Sequence, residues 1–186
     1  MSDLHIPIND SDHVIGPADA AVTLVEYGDY QCPHCQAAWP QVEQVLRYFG
    51  SDLRYAYRHF PIWTAHPMAK PAAEAAEFAD IQRLFWEMHA AIFANGHNLS
   101  RPMLLTLARQ QGLDTAALAA ALDEHAYAAK VDTDFLGGIR SGVNGTPCFF
   151  VNGVRHNGPY DAMSLSTAID RASTSAAADV FRIPVG

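Results

Sequence analysis

Apolar and polar positions divide the chain into stretches of different period. Val22 to Tyr27 is a nearly continuous apolar run, too short and too β-branched for a helix, and it predicts a buried strand. After it, Gln36 to Phe49 reads as helix, with apolar residues continuing through Val42, Val45, Leu46 and Phe49. Pro40 cannot donate to the Gln36 carbonyl, which predicts a kink there, and Gly50 predicts the end. Leu53 to Phe60 alternates, carries aromatics and is stopped by Pro61, so it predicts a second strand. Two strands joined by a helix imply a right-handed crossover and parallel pairing.

From about Ile62 to Val143 the chain turns alanine-rich and helical. Phe78, Ile81, Phe85, Met88 and Ile92 follow one another at spacings of three, four, three and four, which predicts one helix from roughly Pro71 to Asn95. Ser100 caps a further helix with Pro102 in its first turn and Gly112 after its end. Asp114 caps a short helix through Leu122, and Ala126 to about Arg140 is another. Strand character returns at Cys148–Val151, where Asn152-Gly153 predicts a hairpin to Val154-Arg155-His156. A closing helix is expected over Ser164–Ala172. The fold class is therefore α/β: residues 21–61 and 144–175 form one domain, interrupted by an all-helical insertion at 62–143. Residues 1–20 are expected to be an irregular lead-in and 176–186 a tail.

Composition narrows the class. The 186 residues suffice for one domain carrying an insertion, and 49% apolar with 17% charged residues is ordinary for a globular protein. A formal net charge of −8 argues against nucleic acid and against anionic membrane surfaces, which select basic patches. The N-terminus lacks a basic segment followed by an apolar one, and no apolar run approaches the roughly 18 residues of a membrane span. The expectation is a cytoplasmic protein without a membrane partner. Three cysteines are a low, odd count, unlike a secreted disulfide scaffold.

Two of those cysteines carry the candidate chemistry. Cys32-Pro33-His34-Cys35 lies where the first strand meets the first helix. Proline is favoured at the first helical position, which puts Cys32 at the N-cap, His34 at the second position and Cys35 at the third. A thiolate on Cys32 would face the N–H groups of His34 and Cys35 at the positive end of the helix dipole, and both effects lower its pKa. An imidazole at His34 adds charge or a hydrogen bond in the same direction. Cys35, one turn inward, becomes the resolving thiol, and a stabilised Cys32 thiolate makes the disulfide more oxidising. The rival is half a zinc site. The remaining cysteine is Cys148, and the nine histidines contain no HxH, HExxH or HxxxH pairing to complete one.

CPHC after a strand, a helical insertion, then Gly145-Thr146-Pro147 before Phe149-Phe150-Val151-Asn152-Gly153 resembles the DsbA-type thiol–disulfide oxidoreductases of thioredoxin fold. Asp29-Tyr30-Gln31 and Phe85-Trp86-Glu87-Met88-His89 are similar to strings in their shorter, cytoplasmic members. The resemblance runs from about Gly16 to about Ala172. It implies that Pro147 is a cis-proline facing the cysteines, with the Thr146 backbone open to pair with an extended substrate. It also implies that Glu26 is a buried acid beneath the site, taking the proton of Cys35 as the mixed disulfide resolves. Partners would be protein or peptide disulfides and dithiols, with recycling by glutathione or a thioredoxin-type protein. No metal or organic cofactor is implied.

Two other functions compete. Glutathione-dependent isomerases and transferases share the architecture but lack the second cysteine of the motif. A non-catalytic, redox-switched peptide-binding module would keep both thiols. Cys148 is expected to be a small buried strand residue. His59, His66, His89 and His97 are expected in packing or capping, and Trp39, Trp63 and Trp86 in the core or at a groove. Direction of electron flow stays open, since a glutathione pool would tend to keep an oxidising CPHC pair reduced.

Overall fold

The computed structural model of the chain describes residues 3–180. Five strands form one mixed sheet: β1 (His13–Ile15), β2 (Val22–Gly28), β3 (Leu53–His59), β4 (Cys148–Val151) and β5 (Val154–Arg155), in the order β1-β3-β2-β4-β5. β2 and β3 are parallel, with Val22 opposite Leu53 and Gly28 opposite His59. The other three pairings are antiparallel. Asn152 at φ 45° and Gly153 at φ 80° make the tight turn between β4 and β5.

Among the described residues, seven α-helices accompany the sheet. α1 (Pro33–Phe49) links β2 to β3 and runs on through Pro40. α2 (Ala69–Asp80), α3 (Phe85–Ala94), α4 (Arg101–Gln110), α5 (Thr115–Asp123) and α6 (Ala128–Arg140) follow β3 without an intervening strand, and α7 (Ala162–Val180) closes the chain. Ser100 accepts from the Met103 N–H at 3.3 Å, and Asp114 from the Ala116 and Ala117 N–H groups at 2.8 and 3.0 Å.

The strand period sorts β2 and β4 between two cores. Val22, Leu24, Phe149 and Val151 join the larger cluster with Cys32, Cys35, α1 and the inserted helices. Val25, Tyr27, Cys148 and Phe150 join the smaller cluster on the opposite face with Phe60 and Val143. The helices after β3 thus share one core with the sheet.

Three expectations are corrected. The lead-in is not wholly irregular: His13-Val14-Ile15 adds an antiparallel edge strand to β3, and Asp3 bridges to Val154. The buried Arg58 guanidinium fastens this segment, donating to both Asp12 carboxylate oxygens at 2.7 and 2.8 Å and to the Ile6 and Pro7 carbonyls. The apolar stripe at 78–92 is split between two helices. Arg83 N donates to the Asp80 carbonyl at 2.7 Å and Leu84 N to the Ala79 carbonyl at 3.1 Å, with Arg83 at φ 60°. This is the bonding pattern of a Schellman stop, and it turns Ile81 out to solvent. Finally, the closing helix runs past Ala172 to Val180, into the expected tail, whose residues 181–186 lie outside the described ones.

Candidate active site

β2 carries the chain up through Gly28, and Asp29-Tyr30-Gln31 turns it into α1. The buried Asp29 carboxylate holds that turn. One oxygen accepts from the Gln31 and Cys32 N–H groups at 2.8 and 3.2 Å; the other takes the Ile62 N–H and His66 Nδ1, both at 2.8 Å. The backbone N–H of Asp29 points at Cys35 Sγ, 3.4 Å away. Asp29 therefore ties the cysteine loop to the start of the insertion.

Cys32 is the N-cap of α1, in extended conformation at φ −70° and ψ 121°, with Pro33 at the first helical position. Among the described residues all three cysteines are free thiols. The Cys32 thiol is lowered to about 5. A hydrogen bond from the Cys35 thiol is the largest cause; burial opposes it, and Thr146 with the backbone N–H groups of Cys35 and His34 adds to it. As a thiol, Cys32 receives no cap hydrogen bond from those amides. They favour the anion without yet gripping it. Cys35 is fully buried and pushed well above the usual thiol range, first by burial and then by its bond to Cys32. The two sulfurs are thus displaced in opposite directions, Cys32 down and Cys35 up.

Thr146-Pro147 lies against this pair. The peptide bond between them is cis, and the Thr146 carbonyl oxygen is 3.5 Å from Cys32 Sγ. The Thr146 hydroxyl is buried with no hydrogen-bond partner among the described residues. It is free to donate to a Cys32 thiolate.

Glu26 sits within β2, on the face that carries Val22 and Leu24 towards the cysteines. It is buried, and its carboxyl is raised to about 7. Burial is the main cause; the Tyr55 hydroxyl, donating to Oε2 at 2.6 Å, pulls the other way, and a charge on Cys32 adds to the rise. Its other oxygen, Oε1, is buried without a partner among the described residues. Glu26 in turn helps to raise Cys35, so the two groups share one electrostatic neighbourhood.

His34 is exposed, and its Nδ1 lies 3.2 Å from the Tyr160 hydroxyl. What it supplies to Cys32 is its backbone N–H. Cys148 lies in the core on the other face of the sheet, where burial raises its thiol. It is a strand side chain, separated from the cysteine pair by the sheet. Tyr55, Tyr160, Asp29 and His66 are the site contacts that motif spacing missed. Asp29, three residues before the first cysteine, was visible only as part of a family string. Trp63 is half exposed and packs on Phe135 at 4.8 Å, at the rim of an apolar hollow that reaches Val143 and Asn144, just before Thr146.

A dithiol at a strand-to-helix junction, opposite a Thr-Pro strand start and above a buried acid, defines a thioredoxin-fold protein of DsbA-like form. The chain belongs to the thioredoxin family: residues 9–171 match the family profile described as Thioredoxin. BdbD from Bacillus subtilis, in its oxidised crystal structure, superposes with a TM-score of 0.80 at 22% identity, over 88% of this chain and 94% of that one. A thioredoxin-like oxidoreductase from Silicibacter pomeroyi gives 0.76 at 29% identity, over 89% and 94%. A Na(+)/H(+) antiporter, NhaA 1 of Salinispora arenicola, is 44% identical over 171 residues, 91% of this chain but 26% of that protein. The chain spans about a quarter of the length of the curated relatives it matches. Among the described residues no helix is long and apolar enough to cross a membrane.

Proposed function

We propose that the chain exchanges disulfides with protein or peptide substrates through Cys32 and Cys35. The Cys32 thiolate attacks one sulfur of a substrate disulfide; that S–S bond breaks, a mixed disulfide forms, and one substrate thiolate leaves. Cys35 then gives its proton to the ionised Glu26 carboxylate and attacks Cys32 Sγ. The mixed disulfide breaks, the second substrate sulfur departs as a thiolate, and the Cys32–Cys35 disulfide remains. Run backwards, the same steps oxidise a substrate dithiol. Pro33 starts the helix, His34 offers its N–H to the anion, and the Thr146 carbonyl beside Pro147 receives an extended substrate backbone. The reading places the protein in the cytoplasm, with glutathione or a thioredoxin-type protein returning it to its starting state.

The observation that carries this proposal is the placement of Cys32 at the N-cap of α1, with Cys35 fully buried and the Thr146 carbonyl oxygen 3.5 Å from Cys32 Sγ. A Cys35→Ser variant should accumulate a mixed disulfide on Cys32 when given a disulfide peptide, and mass spectrometry reads the adduct. Cys32→Ser should give none. Turnover at the wild-type rate by Cys32→Ser would overturn the assignment.

A second reading has its own support. Relatives at about 40% identity carry an antiporter's name and are roughly three and a half times as long. That favours a redox-switched module acting on an attached or neighbouring transporter, with the same dithiol changing state without turnover. Catalytic reduction of a protein disulfide, many turnovers per chain, separates the two.

A further inference from the structure

We propose that His13, His59 and Glu77 form a binding site for one divalent transition-metal ion, with zinc(II) the best fit. None of the three has a part in the exchange mechanism. They come from separate elements: His13 from edge strand β1, His59 from the last residue of β3, and Glu77 from the final turn of α2. His13 stands opposite Tyr57, so His13, Tyr57 and His59 share one face of the sheet, where α2 brings Glu77 over them.

One ligand atom from each residue lies within 4.8 Å of the others. Glu77 Oε1 is 2.7 Å from Nε2 of both histidines. The three side chains are 8%, 1% and 7% exposed. Tetrahedral zinc with bonds of about 2.05 Å separates its ligand atoms by roughly 3.3 Å, inside the span the cluster already covers. Each imidazole would present Nε2 to the ion and carry its single proton on Nδ1, so that the ion replaces two hydrogen bonds that now converge on one oxygen.

The contacts around His13 suit a metal ligand, whereas the buried Nδ1 of His59 has no partner among the described residues. His13 Nδ1 lies 3.5 Å from an Asp80 carboxylate oxygen, the outer carboxylate that fixes a metal-bound histidine with its other nitrogen facing inward. The Phe85 ring stacks flat on His13, holding its plane. Two carboxylates and two neutral imidazoles balance the charge of one divalent ion. Asp80 is half exposed, which leaves a path from solvent. Two nitrogens and one carboxylate suit zinc better than calcium or magnesium, which prefer oxygen throughout. The ion would pin edge strand, central strand and insertion together.

The test titrates zinc chloride into the full chain carrying Cys148→Ala, with Cys32 and Cys35 oxidised, so that no thiol competes. One zinc per chain is expected by calorimetry, with a higher melting temperature, and X-ray absorption should show nitrogen and oxygen neighbours without sulfur. Glu77→Gln should abolish binding. Asp80→Asn, which touches no ligand atom of the ion, should weaken it roughly 10- to 100-fold. Failure to bind one equivalent, unchanged affinity in either variant, or sulfur in the absorption spectrum would overturn the proposal. Should Glu77→Gln not fold, the Asp80→Asn affinity and the absorption spectrum decide.

Discussion

Glu26 is a carboxyl that folding takes wholly out of water, with one oxygen held by Tyr55 and the other without a partner among the described residues. Its pKa rises from 4.5 to about 7, so between those values the folded dithiol protein holds more protons than the unfolded chain. Stability is then fullest below about 4.5 and declines as pH climbs through about 7. The shift corresponds to roughly 3 kcal/mol. Glu26→Gln removes this slope. Urea unfolding of the two reduced proteins should show their stability difference moving by that amount in favour of Gln between acid and neutral pH. A constant difference would remove Glu26 from the electrostatics of the site. On the proposed mechanism the same substitution should slow resolution of the mixed disulfide, since Glu26 would there take the Cys35 proton.

Four of the five helices of the insertion end in a shared way, and only part of it is visible in the sequence. α4 and α6 stop with Gly112 at φ 77° and Gly142 at φ 76°, the residue type such an end favours. α2 and α5 stop with Arg83 at φ 60° and His125 at φ 52°, where no glycine marks the place. That is why the 78–92 stripe looks like one helix: its period survives the break, and Arg83 carries no stop signal. Arg83 is exposed, so Arg83→Gly relieves the left-handed backbone without disturbing the core. It should stabilise the protein by up to about 1 kcal/mol in chemical denaturation. A loss of stability would mean that the Arg83 side chain contributes more than its backbone costs. β1 escaped notice for a related reason, because three residues after a polar segment are too few for a period to show.

Over the whole molecule, pattern and motif disclosed the βαβ start, the helical insertion, the hairpin and the place of the CPHC segment at the start of α1. Contacts between distant segments lay beyond them. Asp29 meets His66 only when the insertion folds back on the cysteine loop, and His13 meets Glu77 only once the edge strand is in place. The redox state should be felt across the same assembly. Cys32 ionises at about 5 in the folded dithiol form and at 9.0 in a free thiol, so folding favours its anion. A lowered group contributes stability fully above its unfolded pKa and loses it as pH falls through the folded one. The dithiol form should therefore gain melting temperature relative to the disulfide form as pH rises from about 5 towards mildly alkaline values. Calorimetry of the reduced and oxidised proteins reads this, and a difference that does not change with pH would contradict it.

The most direct measurement is the ultraviolet thiolate absorbance of the reduced protein followed across pH, with Cys32→Ser as the blank. A single thiolate appearing with a midpoint near 5, and missing from the blank, is the predicted result. A midpoint at or above that of a free thiol would contradict the account at its centre, because Cys32 would then be no readier to attack than any other cysteine.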